Sequence, residues 1–317
     1  MPARPYQPSG QSNSGGISLL VAACLGAALA GGVIEGVISK WFSLLLFFTA
    51  ALGGAVGFTA AWVIGRSQVR APWVAAVVAG LCGIAAQGAL YGVQYAQFRH
   101  ELGSEFAQNP KFAGQPDTKS LVDQVLVQET GQSGIAGYLQ FRAQVGTEIK
   151  KAGHSGSGIK LSGVGFWILL GINFLIAGGI AFSSAYTRAN TPYCETCKTW
   201  YEKTEPVATG SGAKPVIAGT LQALDSGMFT DVPIAFGRAR PNSTGVFHLL
   251  RCGTCADHEP QLHLTVITGD GKKQKTHVAY KTMLRADEAR SLLSAFAAAT
   301  APKPETKPET KPEGNLG

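Results

Sequence analysis

Four stretches of the chain run for about 20 residues with almost no charge, the length that crosses the hydrocarbon core of a bilayer at about 1.5 Å per residue. They cover residues 17–38, 42–64, 73–93 and 164–186. A helix that is apolar on every side cannot be explained by one stripe facing a core. The expected architecture is therefore a polytopic α-helical membrane protein with about four transmembrane helices. Only Ser39, Lys40 and Trp41 separate the first two runs, which implies a tight helical hairpin. Pro72 precedes the third, where proline suits a first helical turn. The first run is longer than a signal-peptide core, follows a single arginine and is succeeded at once by a second span, so it is expected to remain uncleaved.

Composition agrees with this division. Glycine, at 40 residues, concentrates in the apolar runs, where it lets helix backbones approach closely. The formal net charge of +7 would suit a nucleic-acid binder only if it were concentrated. Instead, residues 1–93 hold four basic against one acidic residue, 94–185 seven against six, and 186–317 sixteen against thirteen. No dense basic stripe with interleaved aromatics results, so nucleic acid is not an indicated partner. The surplus reads as membrane-flanking charge, and the lipid bilayer is the expected partner. Arg66 and Arg70 crowd the loop between the second and third runs, and Arg188 follows the fourth. By the positive-inside rule these belong in the cytosol, and four spans then place both termini there.

Within the runs, Gly32/Gly36, Gly53/Gly57 and Gly88/Gly92 are small-xxx-small pairs expected to pack helices together. Glu35 lies close to Lys40 and is expected near the interface, with a buried functional carboxylate as the alternative. Gln87 and Asn173 suit interhelical hydrogen bonds, and Cys24 and Cys82 read as small packing residues.

Residues 94–162 form a polar segment expected outside the cytosol. Helical spacing marks Thr118–Thr130, through Leu121, Val125 and Leu126, and residues 135–151, through Ile135, Leu139, Arg142, Val145 and Ile149. Asn109-Pro110 and Gly114-Gln115-Pro116 interrupt the chain before them, and the GHSGSG stretch at 153–158 reads as a flexible connector. A small helical cap is the expected role, with ligand or partner binding as the alternative.

The most specific local pattern is a pair of C-x-x-C motifs, Cys194/Cys197 and Cys252/Cys255. A two-residue gap makes a tight knuckle that aims both thiolates at one ion, and two knuckles supply the four sulfurs of a tetrahedral Zn²⁺. Gly245–Arg251 reads as a strand entering the second knuckle, residues 262–268 as a strand after it, 269–271 as a hairpin turn and 276–281 as the return strand. Strand, knuckle and hairpin in that order resemble a zinc ribbon. The resemblance covers only these elements; it implies a small α+β zinc-ribbon-like soluble domain. About 54 residues part the knuckles, many more than the roughly 15–20 of the compact pattern. An insert with a helix at 214–224 must therefore sit between them.

Four thiolates complete the coordination shell and leave no position for water or substrate, so the expected zinc is structural. Redox-active or structural disulfides, or unligated cysteines, are the alternatives. His248, His258, His263 and His277 are expected to be surface or strand residues rather than ligands. A thiolate zinc site favours a reducing compartment, which agrees with the cytosolic side chosen by the arginines. A helix at 285–298, with Leu292, Leu293 and Phe296, closes the domain.

The expected organisation is a disordered stretch at 1–16, a three-helix transmembrane region at 17–93, the partly helical loop at 94–162, a fourth span at 163–186, the zinc-ribbon-like domain at 187–300 and a disordered KPET-repeat tail at 301–317. No residue set defines a reaction. The expected function is a non-enzymatic membrane protein whose cytosolic zinc domain is a scaffold or protein-interaction module with a protein partner. A small transporter or channel regulated by the soluble domain, with a homo-oligomer building its pore, is the alternative. A thiol–disulfide redox protein is a lesser one.

Overall fold

The computed structural model describes residues 4–39, 45–108, 118–149, 159–237, 244–255, 259–268 and 274–300. Lys40, Trp41, the 109–117 and 153–158 interruptions, the 269–271 turn, His258 and the KPET tail lie outside them. The chain divides into two compact units, one of residues 8–191 and one made of residues 1–7 and 192–317.

The first unit is built on α1 (Ser14–Ile38), α2 (Leu45–Ser67), α3 (Pro72–Gln108) and α6 (Val164–Ala189). Among the described residues, these four helices are long and apolar enough to cross a membrane. A lipid environment requires this economy of form, because every backbone N–H and C=O must find its partner within the segment. α1 and α6 each pack on α2 and α3. Leu25, Leu29, Phe58, Trp62, Leu81, Ile168 and Leu175 point outward and are exposed. An apolar belt of that kind is unfavourable against water and suited to lipid.

The inner faces are lined by small residues, among them Ala79 and Ala86 of α3 and Ala177 and Ala181 of α6. A methyl group placed on Gly32 would lie 2.5 Å from the Ala86 carbonyl oxygen, and one on Gly53 2.6 Å from that of Ala177. The missing side chains set how closely these backbones approach. Gly88 and Gly92 depart from the expectation, since among the described residues a methyl on either meets nothing within 4 Å. Asn173 is buried, and its Oδ1 has no hydrogen-bond partner among the described residues. Gln87 departs as well: it is fully buried, yet neither Nε2 nor Oε1 has a partner among the described residues.

α3 continues well past the expected end at 93, giving a helix of 37 residues, about 55 Å long. Its extension is held by α4 (Thr118–Thr130) and α5 (Gly134–Val145). Tyr95 Oη donates to Asp123 Oδ1 at 2.7 Å, Arg99 pairs with the same carboxylate at 3.2 Å, and Phe98 packs on Tyr138 and Phe141. The helix expected over 135–151 is shorter than that. It stops at Val145, because Gly146 adopts φ +84°, a backbone region that glycine enters freely. The chain then forms β1 (Thr147–Ile149), paired antiparallel with β2 (Ile159–Leu161).

The second unit contains a short hairpin of β3 (Tyr193–Cys194) and β4 (Thr199–Trp200), followed by β5 (Glu202–Gly210), α7 (Lys214–Ser226), α8 (Val232–Phe236), β6 (Gly245–Arg251), β7 (Gln261–Thr268), β8 (Lys275–Met283) and α9 (Ala286–Thr300). The last four strands make one antiparallel sheet in the order β5-β6-β7-β8. Side chains alternate along each strand, so Phe247 and Leu249 of β6 and Leu262 and Leu264 of β7 enter the core. Leu224, Val232, Phe236, Leu292 and Phe296 from the three helices meet them there.

Residues 4–7, expected to be disordered, belong to this unit. The Met283 N–H donates to the Arg4 carbonyl at 2.8 Å, and the Arg4 N–H donates to Thr282 Oγ1 at 3.0 Å. The Arg4 guanidinium pairs with Glu288, a carboxylate almost entirely buried. Glu288 also accepts from the Arg285 backbone N–H at 2.7 Å, in the manner of a capping box at the start of α9.

Candidate metal centre

The first knuckle is the turn of the β3–β4 hairpin. Cys194 pairs with Thr199 and Tyr193 with Trp200, so the chain reverses between the two cysteines and the strand that follows. The Cys197 N–H donates to Cys194 Sγ at 3.4 Å, the bond that curls a knuckle around its own sulfur. Lys198 takes φ +54° to complete the turn. Such a conformation costs an L-residue about 1–2 kcal/mol and is held here by the surrounding pairing.

β5 leaves this hairpin and β6 enters the second knuckle, and the two strands are paired with Glu202 opposite Arg251. That register solves the problem of the long spacing. The intervening segment, with α7 and α8, leaves along β5 and returns along β6, so its two ends meet beside the cysteines.

Cys194, Cys197, Cys252 and Cys255 come together with all four sulfurs within 4.8 Å of one another. Cys194 Sγ and Cys255 Sγ, one from each knuckle, are 3.5 Å apart. A tetrahedral zinc with Zn–S bonds of about 2.3 Å would separate its sulfurs by about 3.8 Å, so the donor set fits such an ion. None of the four is in a disulfide. Cys194 and Cys252 are buried, while Cys197 and Cys255 are half-buried. Among the described residues no histidine joins the cluster. His248 and His263 face each other across β6 and β7, and His277 lies on β8.

The electrostatics suit a cation. The Thr199 hydroxyl, 3.3 Å from Cys252 Sγ, and then the backbone N–H groups of Cys255 and Thr254 pull the Cys252 thiol down to about 5. Hydrogen bonding to Cys197, followed by desolvation, pushes the Cys255 thiol up. Four like-charged sulfurs at this spacing cannot all ionise without a positive centre, and the opposed shifts express that conflict. Tyr201 reports the same field from outside. Burial first, and then the negative charge of Cys194, Cys252 and Cys255, raise its phenol to about 12. Its hydroxyl donates to the Glu259 carbonyl at 3.1 Å, and the Tyr193 and Trp200 rings, 5.0 Å apart edge to face, flank the first knuckle.

Two contributors escape a reading of spacing alone. Thr199 is linked to Cys252 only through the hairpin register, and Tyr6 accepts the Tyr193 N–H at 3.2 Å from the far end of the chain. The chain matches no protein-family model, no curated protein and no solved structure.

Proposed function

We propose that the chain is a multi-pass membrane protein in which a structural zinc ion stabilises a cytosolic protein-interaction module. The observation that carries this reading is the convergence of four cysteine sulfurs, within 4.8 Å of one another, from two knuckles of the C-terminal unit. Zinc is favoured over other ions because four thiolates suit a soft, tetrahedral, redox-inert centre. Such a shell has no vacancy for substrate, so the metal acts by holding the knuckles in place. The work of the unit then falls to its surface, where a protein partner would bind.

Sidedness is supported by two independent features. Arg66, Arg70 and Arg188 cluster at the ends of the apolar helices, as cytosolic flanks do. Contacts of Arg4 with Met283 and of Tyr6 with Tyr193 support a reading in which both chain ends share one side, as an even number of spans requires.

Elemental analysis of the full-length protein in detergent tests the metal. One zinc per chain is expected, and removing it with a strong chelator should expose the C-terminal unit to protease while the helices stay resistant. A metal-free chain with an equally resistant C-terminal unit, or one carrying iron with a thiolate-to-iron absorption band, would sink the reading. Cysteine labelling from each side of sealed vesicles, after chelation, tests the sidedness.

A further inference from the structure

A groove of about 420 Å³ opens on the outer surface of the helical unit, where α2 and α6 approach their C-terminal ends. Phe58, Ala61, Trp62 and Gly65 line it, and Arg66 and Arg188 stand at its rim. The two helices run in the same direction, with Gly53 against Ala177 and Gly57 against Ala181 and Ser184. Both arginines therefore arrive at the same end. Arg188 folds across Gly65, where a methyl group would lie 3.1 Å from its Nη2. The Arg66 guanidinium sits over the Trp62 ring at 4.6 Å from the centroid, a cation–π contact that fixes its position. Trp62 and Phe58 are 51% and 74% exposed, so the space beneath the arginines is walled by apolar side chains that, among the described residues, no helix covers.

Three features identify the occupant. Neither α2 nor α6 contains an acidic residue, so the groove has two positive charges and none of opposite sign from its own helices. Trp73 and Tyr186 stack edge to face nearby on α3 and α6 at 5.2 Å, and aromatic residues of this kind mark the level of lipid headgroups. A guanidinium presents a planar fork that matches two oxygens of a phosphate.

We propose that this groove binds an anionic phospholipid, its phosphate held between Arg66 and Arg188 and its acyl chain lying along Phe58, Ala61 and Trp62. The shape is that of an amphiphile, charged at one end and apolar along its length. Basic pockets between transmembrane helices recognise such headgroups in general. The inference rests on the membrane reading of the four helices but not on the metal centre, and extraction from vesicles tests that reading separately. A chain released by alkaline carbonate without detergent would fail it before any lipid is added.

Native mass spectrometry of the full-length protein, titrated with phosphatidylglycerol or phosphatidylcholine of identical chains, tests the site. Phosphatidylglycerol should bind about ten- to thirtyfold more tightly, as two basic residues at an anionic headgroup predict. The double variant Arg66→Gln with Arg188→Gln should lose that preference, and Arg66→Lys with Arg188→Lys should restore part of it at unchanged thermal stability. Gly65→Leu keeps both charges but fills the space Arg188 occupies, and should also abolish the preference. Millimolar inorganic phosphate should not displace the lipid. Equal binding of the two lipids, a preference that survives either the glutamine pair or Gly65→Leu, or displacement by free phosphate would each overturn the proposal.

Discussion

Thr199 stands two residues beyond the first knuckle and contributes nothing to the metal-ligand count, yet its hydroxyl is 3.3 Å from the Cys252 sulfur. Groups that hydrogen-bond a ligand atom hold it in orientation and tune its basicity, and losing one typically weakens metal affinity about 10–100-fold. Thr199→Val removes the hydroxyl and keeps the shape. Zinc affinity of the full chain, measured by competition with a chromophoric chelator, should fall about tenfold while the protein stays folded. An unchanged affinity would show that the hydroxyl is idle. The four cysteines were legible in the sequence because a two-residue gap has few other uses at this density. Thr199 was not, since its role depends on standing opposite Cys194 in a hairpin that two-residue strands leave almost unmarked. Gln87 departs from its expected hydrogen bond for a related reason. Its polarity announces a hydrogen bond, but whether a partner stands opposite depends on how α3 is rotated, and hydropathy carries little of that information.

The four long apolar helices are the elements that sequence describes best, because hydropathy over 20 residues reports a physical requirement of lipid rather than a preference. Their ends are less visible. α3 passes 93 without interruption because residues 94–108 contain no proline and present Tyr95, Phe98 and Arg99 to α4 and α5. β5 carries almost no sequence signal of a strand. Glu202–Gly210 carries charges and Pro206 where alternation would be sought, and its pairing with β6 is broken by register shifts on either side of that proline. A sheet edge tolerates such a strand, since one side needs no ladder. Glycine spacing is also an incomplete guide, as a methyl on either glycine of the third pair meets nothing within 4 Å among the described residues. The difference is measurable. Gly53→Ala should destabilise the bundle by about 1–3 kcal/mol, because its methyl must displace the Ala177 backbone. Gly88→Ala meets open space and should be neutral or stabilising by up to about 1 kcal/mol. Thermal unfolding of the two variants in the same detergent, compared side by side, decides it; equal losses would mean that the helices are packed otherwise.

For the molecule as a whole, the two-unit division cuts across chain order, because residues 1–7 join a unit that otherwise starts at 192. Arg4 secures the junction through two main-chain bonds and its pairing with Glu288. Its side chain is 39% exposed, so solvent screens much of the attraction, and Arg4→Ala should cost the C-terminal unit only about 1 kcal/mol. Deleting residues 1–7 removes the main-chain bonds as well and should cost more. Protease resistance should fall in the C-terminal unit and hold in the helical one; loss from both would contradict the division. The shared unit also has a consequence for synthesis. The segment bearing Arg4 and Tyr6 is made before the four apolar helices, but the strands and helix it docks on are encoded after the last of them. Those residues must therefore wait for these partners until all four apolar helices have been made, and the C-terminal unit can close only after them. Completion of that unit is thus a record that the preceding helices were delivered in full.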